Sequence, residues 1–202
     1  MKTHHYWVKC DYEKAKFWGG EGVKLVHDRN LDTKFDCSHN MALAQRDSGE
    51  VDKALEFFKK GIDINEIFNE KINKNHFNAP YFGNIGRCLW LKNDIDMSLR
   101  CFVKAAKLLE NETSDKHSYM NKGWASLWIA ENLEHKEEFE NAIKFYMHTF
   151  YIWESIAPNR ARQAFEKSRH ILKNYFPNYN EDELKQTMIE SFCSKWINKN
   201  DI

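Results

Sequence analysis

The chain reads as an all-α protein, a right-handed solenoid of stacked helical hairpins finished by a C-terminal capping helix. Three observations predict this. The first is an internal repeat with a 44-residue spacing, seen three times. Met41-Ala42, Gly49-Glu50-Val51, Ala54-Leu55, Phe57-Phe58 and Gly61-Ile62 return as Ile85-Gly86, Asn93-Asp94-Ile95, Ser98-Leu99, Cys101-Phe102 and Ala105-Ala106. They return again as Ile129-Ala130, Glu137-Glu138-Phe139, Ala142-Ile143, Phe145-Tyr146 and Thr149-Phe150. Each copy sets a small residue, an aromatic four later and a small residue three after that. A fixed period of this length means helical units that cannot bury an apolar face alone. The second observation is the spacing of apolar residues by threes and fours, which gathers them on one helical face. The third is the rarity of breakers, three prolines and eight glycines in 202 residues, which suits helices and fits poorly with an all-β chain.

The elements follow in order. Tyr12-x-x-Ala15 with Gly19 and Gly22 reads as the second helix of a unit whose first helix must fit into the few residues before Cys10. Residues 1–34 are therefore expected to be a degenerate or truncated first repeat. Full copies occupy residues 35–78, 79–122 and 123–158. In the first, a short helix between Phe35 and Ser48 ends at Gly49, a residue suited to the left-handed conformation that closes helices. A second helix then starts at about Val51, and Ile67, Phe68 and Ile72 extend it into the long joint. The next pairs fall at about 80–92 with 94–109, and 115–135 with 138–154. Ser114 is placed to cap the last first-helix, and its turn (Glu134 to Glu138) is charged and lacks glycine. Residues 159–202 hold a helix over about 159–175, a break at Pro177 and a last helix over about 181–198. Asn180 with Glu183 makes a capping-box arrangement for that helix. Its Leu184, Met188, Phe192 and Trp196 recur every four residues and are expected to seal the stack.

Composition narrows the function. Lys plus Arg equals Asp plus Glu at 30 each, and the missing basic excess argues against a generic phosphate-backbone binder. Cys10, Cys37, Cys88, Cys101 and Cys193 are odd in number and form no C-x-x-C pair, which reads as reduced thiols in a cytoplasmic protein. No apolar run reaches membrane-span length. Gly19-Gly20-Glu21-Gly22 with Lys24 lacks the Ser/Thr and the preceding strand of a phosphate loop, so close helix packing explains it better. The nine histidines show no metal-ligand spacing. Cys88 and Cys101 fall on the two helices of one repeat and are expected inside, with no base nominated beside them. No enzyme, cofactor or metal is expected.

These residues resemble the tetratricopeptide repeat family. The likeness lies in Asn84-Ile85-Gly86 within a first helix, the turn, and Ala-x-x-x-Phe/Tyr-x-x-Ala/Gly in a second. It covers about residues 35–158, with departures in the longer period, Gln45 and the missing glycine at Glu137. A narrower resemblance is to the helical-repeat tails that follow a nucleotide-binding switch in bacterial STAND-type anti-phage ATPases. It rests on His39-Asn40-Met41-Ala42-Leu43-Ala44, Gly83-Asn84-Ile85-Gly86-Arg87-Cys88-Leu89, Trp128-Ile129-Ala130-Glu131, and Trp153 leading to Pro158. That resemblance implies a sensor that grips a foreign protein, so the chain would be the recognition region of a larger antiviral-defence protein. A self-contained adaptor for a peptide or small protein is the alternative, and an RNA-binding helical repeat is a third reading.

The family resemblance implies a concave groove lined by the first helix of each pair. Matched residue by residue, it gives Asp36, His39, Leu43 and Arg46, then Arg87, Trp90 and Leu91, then Trp124, Leu127, Glu131 and Glu134. Trp and Arg are the types that most often carry interface energy, although Trp90 and Trp124 would serve equally well packed between repeats, and Trp128 reads as core. The positions that clamp acidic chaperone tails in some relatives hold His39, Leu43, Asn84, Trp124 and Trp128 here, and only the asparagine fits. The expected partner is a protein or peptide, with no membrane and no small-molecule substrate. The basic run Arg160, Arg162, Lys167, Arg169, His170 and Lys173 reads best as the solvated face of an amphipathic helix.

Overall fold

The computed structural model describes residues 2–25, 31–68, 74–110 and 116–201. Within them lie α1 (Lys2–Val8), α2 (Tyr12–Leu25), α3 (Leu31–Asp47), α4 (Val51–Phe68) and α5 (Lys74–Leu91). They continue with α6 (Ile95–Leu109), α7 (Lys116–His135), α8 (Phe139–Trp153), α9 (Pro158–Tyr175), a 3-10 turn (Glu181–Leu184) and α10 (Gln186–Asn200). Each helix from α1 to α8 packs on the next, and no strand occurs among the described residues. The fold is an all-α repeat solenoid. None of its described helices is long and apolar enough to cross a membrane.

The repeat is visible in the turns. Gly49 (φ 93°), Asn93 (φ 62°) and Glu137 (φ 62°) all take the left-handed conformation, one period apart. Around each, the two chain-reversing hydrogen bonds of a Schellman motif form. The amides of Gly49 and Glu50 donate to the carbonyls of Arg46 and Gln45. Those of Asn93 and Asp94 donate to Trp90 and Leu89, and those of Glu137 and Glu138 to Glu134 and Leu133. The residue after each left-handed one then starts the next helix, and Asp94 accepts from the Met97 amide at 3.3 Å. Cys10 (φ 58°) makes the same turn, with Asp11 donating to Tyr6. The first unit is thus a hairpin whose opening helix has only seven residues.

The small–aromatic–small positions form the core. Ala54, Phe58 and Gly61, then Ser98, Phe102 and Ala105, then Ala142, Tyr146 and Thr149 are all buried. Across from them, Ala42, Gly86 and Ala130 let the helices close up. A Cβ on Gly86 would meet the Phe102 ring at 2.6 Å, and one on Gly123 would clash with the Trp153 indole. An ion pair also repeats with the period, Lys92 on Asp52 and Lys136 on Asp96.

Several expectations need adjustment. Helix α5 begins at Lys74 and runs through Pro80, so the proline does not start it. Helix α4 does run on to Phe68, while Ile72 and Ser114 lie outside the described residues. Gly19 and Gly22 sit inside continuous α2, pressed against Met41 and Cys37 of α3, as close packing requires. The last helix does not run unbroken. Asn180 caps only the 3-10 turn, its side chain accepting from the Asp182 amide at 3.1 Å, and the backbone is extended at Lys185 (ψ 141°). That break rotates the buried face of α10 to Ile189, Cys193 and Ile197, leaving Met188 exposed. α10 lies on α6 and α8, with Phe145 edge-on to Trp196 at 5.1 Å.

Candidate functional site

The first helices of the hairpins share one concave face. The i, i+4, i+7 spacing puts His39, Leu43 and Arg46 on one side of α3 and Pro80, Asn84 and Arg87 on one side of α5. Together with Asn121, Trp124 and Trp128 of α7, they line a groove of about 540 Å³. Trp7 of α1 closes one end and Arg160 of α9 the other.

Polar links tie each first helix to the next. Trp7 Nε1 donates to Asp47 Oδ2 at 2.8 Å. Arg46 binds Asp47 through Nε (2.7 Å) and donates through Nη1 to Asn84 Oδ1 at 2.5 Å. Asn84 is held in turn by donating to the Pro80 carbonyl at 2.9 Å. Arg87 donates to Glu131 at 3.0 Å, one full period away, with both side chains about 30% exposed. Glu134 accepts from the Tyr146 hydroxyl at 2.5 Å and lies 3.6 Å from Lys167 of α9. Its carboxylate and the ring's burial together raise the Tyr146 pKa, burial being the larger cause. Most groove charges are therefore matched before any partner arrives.

The aromatic part is denser. Trp124 and Trp128 stack at 5.4 Å and 25°, and the Arg160 guanidinium lies 4.5 Å over Trp124. Trp153 meets Trp124 edge-on at 5.1 Å, so one tryptophan is fixed from below while facing the groove. At the other end, His39 packs edge-on against Phe58 (5.7 Å) and Tyr81 (5.8 Å). Burial, helped by Arg46, pushes its pKa down to about 4. It is a neutral aromatic wall near neutral pH.

Of the residues expected in the groove, the structure brings His39, Leu43, Arg46, Arg87 and Trp124 together along it. Trp90 stands at the end of α5 against His135 (5.3 Å), with Arg87 5.9 Å from its ring. Leu91 beside it is half exposed. Glu131 and Glu134 take part through the Arg87 and Tyr146 contacts. The sequence alone does not place Trp7, Asn121 or Arg160 on this face, and Trp128, read from it as core, both packs on Phe102 at 5.2 Å and lines the groove. Trp7 lies in a helix too short to show a period, and Arg160 reads in sequence as part of a basic run. Of that run, Arg169 pairs only within its own helix, on the outer face as expected, whereas Lys167 reaches across to Glu134 of α7. Cys88 is buried and Cys101 half-buried, and burial pushes both thiols up to about 11, which makes them poor nucleophiles.

Residues 35–68 match the family model of the tetratricopeptide repeat. This segment covers most of α3 and all of α4, one first-helix and second-helix pair about the Gly49 turn. No curated protein and no solved structure matches the chain. Tetratricopeptide repeats generally mediate protein–protein interaction.

Proposed function

We propose that this chain is a non-catalytic scaffold that holds a protein segment in the groove of its first helices. The observation that carries the reading is the stacked Trp124–Trp128 pair with Arg160 laid over it, an aromatic and guanidinium platform set in a concavity. Such residues dominate interface energetics because they bury much area at little entropic cost. His39, Leu43, Arg46, Arg87, Trp90, Leu91, Trp124, Glu131 and Glu134 are the proposed contact set, with Trp7, Asn121 and Arg160 added from the groove. The single solenoid would comprise residues 1–34, 35–78, 79–122, 123–158 and 159–202 as successive segments. In the finer reading, the unit is the cytoplasmic recognition region of a larger switch protein in antiviral defence. That reading is supported by the string likenesses around His39, Gly83 and Trp128.

The test is selection of binding peptides from a displayed library on the intact chain. A selected peptide should lose at least about tenfold in affinity on Arg160→Ala, with helicity and melting unchanged. Equal affinity for both proteins would move the binding surface off the groove.

A further inference from the structure

A second concavity lies where α10 crosses α6 and α8, and it is lined by residues of α6, α7, α8 and α10. His148 of α8 decides its chemistry. Burial, reinforced by the Lys122 charge, pushes its pKa down to about 4, so the ring is neutral near neutral pH. The Ser126 hydroxyl oxygen lies 3.0 Å from the Phe145 carbonyl oxygen and 3.1 Å from His148 Nδ1. A carbonyl only accepts, so the one hydroxyl proton goes to Phe145, and Nδ1 must carry the imidazole proton and donate to Ser126. Nε2 is then a bare acceptor on a ring that lines the cleft, and no described residue hydrogen-bonds to it.

The remaining lining carries both charges. Lys122 of α7 brings an ammonium, which donates to the Glu110 carbonyl at 3.2 Å. Glu190 of α10 brings a carboxylate, with one oxygen accepting from Gln186 at 2.8 Å. Glu110 is already matched by Lys107 at 2.8 Å. Ala106 and Ile197 form an apolar wall. The space is about 250 Å³, below the roughly 300–1,000 Å³ of drug-sized sites, so the occupant is of small-metabolite size.

We propose that this cleft binds a small zwitterion, an α-amino acid with a short aliphatic side chain. Its ammonium donates to His148 Nε2 and faces Glu190, its carboxylate meets Lys122, and its side chain rests on Ala106 and Ile197. A lone carboxylate has no proton to give Nε2, and a lone cation would face Lys122 without an opposite charge of its own. Because Glu190 and Ile197 both come from α10, the occupant ties that helix to α6–α8. The site is separate from the groove and does not rest on the groove's function.

The experiment is titration of the full chain with alanine, valine and leucine. It is followed by the ring nitrogen resonances of His148, with propionate and butylammonium as single-charge probes. At least one amino acid should shift Nε2 saturably, and each single-charge probe should bind about tenfold more weakly. Glu190→Gln should weaken amino-acid binding by about tenfold while leaving the His148 resonances of the unbound protein in place. No shift with any of the three amino acids would overturn the proposal. So would equal binding of propionate or butylammonium, or wild-type affinity in Glu190→Gln.

Discussion

Glu137 holds a left-handed backbone conformation (φ 62°) at a turn whose first copy uses glycine and whose second uses asparagine. For an ordinary L-residue this geometry costs about 1–2 kcal/mol, which glycine avoids and asparagine partly offsets. Glu137→Gly is therefore expected to stabilise the fold by about 1 kcal/mol, and Asn93→Gly by only a few tenths. Thermal melting of the two variants checks the ranking. A lower melting temperature for Glu137→Gly would mean that the Glu137 side chain does more for the turn than its backbone costs. The three-copy register was legible because burial and turn chemistry act on single residues. Ala54, Ser98 and Ala142 are small because two helices meet there. Phe58, Phe102 and Tyr146 are large because each fills the space between neighbours. Arg160 was not legible as a groove residue, since its partner, Trp124, lies 36 positions away and no local pattern links them.

At the level of elements, α10 shows where a periodic reading fails. Leu184, Met188, Phe192 and Trp196 describe one face only if the helix is continuous, and the extended backbone at Lys185 makes it start afresh. Ile189, Cys193 and Ile197 become the inward set, with the Cys193 thiol against the Lys144 carbonyl at 3.8 Å. Phe192 and Trp196 flank them, half-buried against Phe145. Ile197→Ala should cost about 2–4 kcal/mol through the lost transfer energy and the cavity left behind. Met188→Ala, at an exposed position, should stay within about 0.5 kcal/mol. Denaturant unfolding of the pair decides which face is buried, and a reversed order would restore the unbroken helix. The short α1 was legible only as a gap before Cys10. Seven residues are too few to display a helical period, so its fold follows from the Cys10 turn and from packing on α2 and α3.

For the whole molecule, acid should loosen the solenoid in two stages. His39 and His148 titrate near 4 when folded because burial disfavours the cation, against an ordinary value of 6.5. Between those values the unfolded chain binds more protons, so stability falls as pH drops from about 6.5 to about 4. Glu50 is held down to about 2 by hydrogen bonds from Lys16 and Lys53. Its contribution is present above about 4.5 and fades as pH falls toward about 2. Melting temperature against pH should therefore begin to decline below about 6.5. His148→Gln should make the upper stage shallower by about half, the rest belonging to His39, whereas a flat wild-type profile between 6.5 and 4.5 would contradict the burial of both rings.

We propose that the first helices, linked by Arg46–Asn84, Arg87–Glu131 and Glu134–Lys167, present a groove that holds a protein. Affinity capture from cells compares the wild type with Arg160→Glu in the groove and Arg169→Glu on the outer face of the same helix. A protein should be retained by the wild type and by Arg169→Glu and lost with Arg160→Glu. Retention by all three, or equal loss from both variants, would contradict it.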